Sequence, residues 1–122
     1  MSTFTQRIHS SIQAELIASA MLERAGSPPM AFWHLERAHI LSQASAPEHL
    51  RVHWHMLRFA IRNRLPAEAF AQLVRLVLAA PASLLGTAPI GNTGGSNAGL
   101  FQVMEVPRDL RALIHAARHS SR

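Results

Sequence analysis

Residues 29–64 read PMAFWHLERAHILSQASAPEHLRVHWHMLRFAIRNR, and this stretch decides the fold. Ser45-Ala46-Pro47-Glu48 near its middle is a capping box. There a Ser hydroxyl and a Glu carboxylate can satisfy orphan amides, and Pro47 suits a first helical turn. Before it, Phe32, Leu35 and Ala38 form the apolar seam of a helix from about Pro29 to Gln43. After it, Leu50, Trp54, Leu57 and Ile61 carry a second helix to about Arg64. So short a link makes consecutive helices antiparallel.

The same grammar extends outward. Phe4, Ile8, Ile12 and Leu16, joined by Met21 and Leu22, predict a helix from about Phe4 to Ala25, stopped by Gly26. Pro66 opens another, with Glu68 in its first turn and Phe70, Leu73, Val74, Val77 and Leu78 as its expected core face. Pro81 is expected to end or kink it. Residues 86–106 read as a Gly-rich loop, with five of the six glycines between Gly86 and Gly99. Leu110, Leu113 and Ile114 mark a last short helix, 107–119. The expected fold is all-α: an antiparallel four-helix bundle over 1–85, the loop, and the C-terminal helix, as a single domain of 122 residues.

Composition excludes several chemistries. There is no Cys, so disulfides, thiolate metal sites and Cys nucleophiles are absent. All twelve basic residues are Arg, so a P-loop and Schiff-base chemistry are excluded as well. The net charge of +5 is spread along the chain without a block of like charges, which argues against a nucleic-acid interface. No apolar run approaches the roughly 20 residues of a membrane span. No targeting segment is visible, and a soluble cytoplasmic protein is the expectation. Eight His are the compositional excess.

Several polar residues share lines with apolar ones. Glu36, His39 and Gln43 follow a 3,4 spacing beside Phe32 and Leu35. His49 and His53 are four apart, flanking Leu50 and Leu57. Glu15 shares a stripe with Ile8 and Leu22, and Glu68, Gln72 and Arg75 form a fourth line. Glu-x-x-His presents a carboxylate and an imidazole from one helix face, and His-x-x-x-His presents two imidazoles. Brought together by a short turn, Glu36, His39, His49 and His53 make a three-nitrogen, one-oxygen ligand set for a divalent transition metal. Zinc comes first, with iron or nickel as alternatives. Glu15, Gln43, Glu68 and Gln72 are candidate extra ligands or hydrogen-bond partners of the ligands. Binding is expected to fade below about pH 6.5, where imidazole protonates.

Plainer readings stand beside this one. A buried His can be satisfied by a carboxylate or a carbonyl, and Glu36 can pair with Arg75. A ferritin-like di-metal oxidase wants two Glu-x-x-His motifs, and one is present unless a homodimer supplies the second. His34 is expected at the mouth of the site or at the surface, His55 exposed, and His9, His115 and His119 solvated. The Gly91–Ser96 stretch offers amides for an anion nest, but a structured turn folding back over the bundle explains it as well.

HLERAHILSQ (34–43), HLRVHWHML (49–57) and GNTGG (91–95) together resemble the signature of a family of small bacterial proteins catalogued as a domain of unknown function. The resemblance runs from about residue 30 into the last helix. It matches at Glu36, His39, Gln43, His49, His53, Glu68, Gln72 and the GNTGG loop. Ser42 stands where the pattern has Gly, a change of packing that leaves the ligand set intact. The resemblance implies genes that lie beside heavy-metal resistance and efflux genes, an association rather than chemistry.

The expected function is therefore metal binding, accessory to metal homeostasis or resistance. Two rivals remain: a metal-dependent enzyme of unassigned substrate, with Glu15 or Glu68 as base, and a metal-free helical interaction module that dimerises.

Overall fold

The computed structural model describes residues 2–84, Gly95 and residues 104–119. Regular structure in them is entirely helical: α1 (Phe4–Arg24), α2 (Pro28–Ser42), α3 (Ala46–Arg62), α4 (Pro66–Leu84) and α5 (Arg108–His119). Most of the predicted Gly-rich loop lies outside the described residues.

Local chemistry explains the helix ends. Thr3 and Gln6 form a reciprocal capping box at the start of α1. Gly26, at φ +82°, closes it in a Schellman motif, with Gly26 N–H on the Glu23 carbonyl and Ser27 N–H on that of Leu22. Pro28 then opens α2. The Ser45 hydroxyl accepts from the Glu48 amide as predicted. Glu48 does not complete the box, because the Ser45 amide donates to Ser42 O and the Glu48 carboxylate goes to His9 and Arg51. The C-terminus of α3 repeats the Schellman pattern around Arg64, at φ +55°. Pro81 does not end α4, which runs on to Leu84.

The helices pack as a chain of neighbours: α1 on α2, α2 on α3 and α3 on α4, with α5 laid on α1 and α2. Among the described residues α4 meets no helix but α3. Ile8, Ile12 and Leu16 of α1, Leu35, Ala38 and Leu41 of α2, Val52, Met56 and Phe59 of α3 and Leu110 of α5 form the apolar core. Phe32 packs at 5.4 Å, centroid to centroid, on Phe59.

Three apolar expectations need correction. Met21 on α1 is exposed, because it lies off the Ile8–Ile12–Leu16 stripe. On α3 the run Leu50, Trp54 and Ile61 is exposed, and the inward face carries His49, Val52, His53, Met56, Phe59 and Ala60. On α4 the predicted core face is largely turned outward, with Phe70 69% and Val77 67% exposed, while Gln72 and Arg75 are buried. Periodicity locates a face but not its direction, and here hydrogen bonds to the polar line decide which side turns in.

Phe59→Ala should cost about 3–5 kcal/mol, the range for an aromatic deleted from a packed core. Chemical denaturation of the two proteins checks this.

Candidate metal centre

α2 and α3 bring three imidazoles to one point. His39 comes from the last turn of α2. His49 and His53, one turn apart on α3, stack on the side facing it. All three are at most 3% exposed. Their Nε2 atoms form a nearly equilateral triangle: 2.9 Å from His49 to His39, 3.0 Å from His39 to His53, and 3.1 Å from His53 to His49. Among the described residues these three are the group whose ligand atoms could hold a metal ion.

A chain of hydrogen bonds sets the tautomer of His53. The Gln72 amide nitrogen donates to Glu68 Oε2 at 2.7 Å, so its Oε1 is the acceptor facing His53. His53 Nδ1 lies 2.7 Å from that oxygen and must carry the proton. The Nε2 of neutral His53 is then a bare lone pair aimed into the triangle. The Nε2 atoms of His39 and His49 cannot both bond to it and also to each other: a neutral ring carries one N–H, and two protonated Nε2 atoms at 2.9 Å would oppose one another. One cation at the centre satisfies all three lone pairs at once.

Two of the rings, His49 and His53, are held neutral. Burial lowers the pKa of His49 to about 3, and neighbouring His53 acts in the same direction. Burial likewise lowers His53 to about 4, against the upward pull of its bond to Gln72; Arg75 lowers it further, and Glu68 opposes that. Protons therefore compete for the folded site well below pH 6.5, and the threshold expected from the free imidazole moves down. His49 Nδ1 is buried with no hydrogen-bond partner among the described residues.

The other predicted residues take different places. Gln72 is fully buried against His53, and Glu68 is the next link behind it. Glu36 is half-buried, one turn before His39, and its carboxylate is outside the ligand group. Gln43 is half-buried one turn after His39. Glu15 is not brought to the cluster: it accepts from Arg37 Nε at 2.9 Å and pairs with His34 Nδ1 at 2.6 Å, tying α1 to α2. That pair explains His34, which is half-buried and bonded to α1. His55 is half-buried instead of exposed, and burial followed by Arg51, Arg58 and Arg62 lowers its pKa. His9 is exposed yet bonded to Glu48, and His115 and His119 are exposed as expected.

Arg75 was legible as part of a polar line, but its use was not. The guanidinium is buried and donates to Gly95 O at 2.6 Å, bringing the last residue of GNTGG to α4, one turn beyond Gln72. A backbone carbonyl carries no sequence signal, so spacing could not assign this contact.

The family of proteins of unknown function designated DUF3703 matches residues 6–114. The chain belongs to this family. No curated protein and no solved structure matches it. The DUF3703 match takes in all of α2, α3 and α4, and with them the three His, Gln72 and Glu68.

Two outcomes follow from this geometry. Between about pH 6.5 and pH 4 the unfolded chain binds protons at His49 and His53 that the folded chain does not. The stability this contributes is present in full above about 6.5 and is lost as pH falls toward 4 and 3. Urea unfolding of metal-free protein should show a large drop from pH 7 to pH 5, reduced in a His49→Leu/His53→Leu double variant. Gln72→Leu removes the acceptor that orients His53, and should weaken metal binding about 10–100-fold in competition titrations while leaving helicity unchanged.

Proposed function

We propose that this protein binds one divalent transition metal ion through Nε2 of His39, His49 and His53, in an accessory role in metal homeostasis or resistance. The observation that carries the reading is the triangle of three buried imidazoles with Nε2 separations of 2.9–3.1 Å. Such a triangle is costly without a cation and matches the soft-to-borderline nitrogen donor set that zinc, iron and nickel take. At metal–nitrogen distances of about 2.05 Å, these separations correspond to N–M–N angles of roughly 95°. That lies between the corner of a tetrahedron and one face of an octahedron. Zinc remains our first choice, with six-coordinate nickel or iron next.

Three nitrogens leave at least one coordination position, for a carboxylate or for water. Glu36 is our candidate carboxylate, one turn before His39 on the same line of α2. We assign the surrounding frame as the up-down antiparallel bundle that short links between helices favour. The genomic neighbourhood implied by the family resemblance agrees with a role in metal handling, as an association.

Elemental mass spectrometry on untagged protein, purified without chelator or nickel resin, should find close to one metal ion per chain. His39→Ala and His53→Ala should each abolish that stoichiometry with helicity largely intact. Full occupancy in both variants, or no metal in the parent and no uptake on titration, would sink the assignment. Glu36→Gln separates the two coordination schemes: a fall in affinity of tenfold or more supports a carboxylate ligand, and unchanged affinity supports water. Release on acidification should come well below pH 6.5, because burial has already lowered the proton affinity of the rings.

A further inference from the structure

α5 carries a pair of histidines that the metal centre does not use. His115 and His119 are four residues apart, at the C-terminal end of the helix. Leu110 and Ala117, seven apart, are buried on the side of α5 that packs on α1 and α2. Helical geometry places His115 and His119 on the opposite side, and both are exposed. Among the described residues the partner of each ring is the other. Their centroids lie 4.4 Å apart, with 42° between the planes.

That arrangement has a counterpart in the same chain. His49 and His53 are also four apart on one helix, with centroids 4.7 Å apart and the same 42° between planes. Their Nε2 atoms are 3.1 Å from one another. The α5 pair thus has the ring separation and tilt of a pair whose nitrogens converge on one point. Two imidazoles four apart on a helix are spaced to reach one ion.

The surroundings admit a cation. Arg111 and Arg118 flank the pair in sequence, and both are drawn aside. Arg111 Nη2 donates to Val106 O at 3.2 Å, and the Arg118 guanidinium lies 6.0 Å from the centre of the Phe4 ring on α1. Ala112 and Ala116 are exposed beside the pair, and their small side chains leave room for the waters of a hydrated ion. The last turn of a helix also favours positive charge, because its carbonyls carry the negative end of the dipole.

We propose that His115 and His119 form a second metal site, an exposed two-nitrogen chelate for a divalent copper, nickel or zinc ion. Imidazole suits all three, and copper(II) heads the order of affinity. Water completes the coordination. With two ligands and open access, this site binds more weakly than the three-nitrogen centre and exchanges its ion faster. It shares no residue with that centre and stands whether or not the centre is filled.

Calorimetric titration of untagged, metal-free, full-length protein with Zn2+ tests this. Two equivalents are expected, the tighter at His39, His49 and His53 and the weaker on α5. His115→Gln and His119→Gln each leave one imidazole of two, and should weaken the second equivalent about tenfold or more, because the chelate is lost. The tighter equivalent and the helicity should not change, since both residues are exposed. Amide chemical-shift changes over the second equivalent should centre on α5 and leave α3 in place. If the weaker equivalent appears alone, this proposal stands and only the reading of the buried centre fails. A titration without the weaker equivalent overturns the proposal. Its survival at full affinity in both variants, or shift changes centred elsewhere, overturns it too.

Discussion

Three imidazole nitrogens held about 3 Å apart in a buried site constrain everything around them. Neutral rings in that arrangement cannot satisfy one another, and charged rings would repel in a medium that already disfavours charge. The surrounding structure must supply what the rings cannot. It does so through Gln72, which holds the His53 proton on Nδ1, and through Glu68, which holds Gln72 in the matching orientation. Each link has a defined donor and acceptor, so the lone pair at His53 Nε2 has its direction set three residues deep.

The need to face that site reverses α4. A helix with a continuous apolar stripe would ordinarily bury it. Here the polar line of Glu68, Gln72 and Arg75 is drawn inward by the His53 ring and the Gly95 carbonyl, and the apolar stripe is left outside. The same inversion affects α3, whose inward side is shared between Val52, Met56 and Phe59 and the two His. Internal polar satisfaction and outward apolar exposure are thus two results of one choice of helix rotation.

Away from the centre, α1, α2 and α5 are fastened by a separate set of charges. Arg37 bridges Glu15 of α1 and Asp109 of α5, and its guanidinium lies 4.8 Å from the centre of the Trp33 ring. Burial alone would lower the Arg37 pKa, but the bond to Asp109, with that to Glu15, raises it. The Thr5 and Ser45 hydroxyls, 2.7 Å apart, join the start of α1 to the cap of α3. These contacts tie α1 to α2, to α5 through Arg37, and to the start of α3. Glu15 belongs to this framework, although its place in an apolar stripe made it read as a ligand candidate.

Local features of the chain were decided by the chain itself. Gly26, Pro28, the Ser45 hydroxyl and Pro66 bound the helices close to where capping and turn chemistry put them. The i,i+4 spacing of His49 and His53 places both rings on one face of α3 whatever surrounds it. A short link was enough to bring His39 near them. What no local pattern contained was the rotation of each helix about its own axis. Helical periodicity is unchanged by that rotation, so Leu50, Trp54, Phe70 and Val77 looked as fit for the core as Val52 or Phe59. The choice was made by contacts between residues distant in sequence: Gln72 on His53, Arg75 on Gly95, and Glu15 on His34 and Arg37. A buried polar group is costly until its partner is in place, and that partner exists only once the helices have packed.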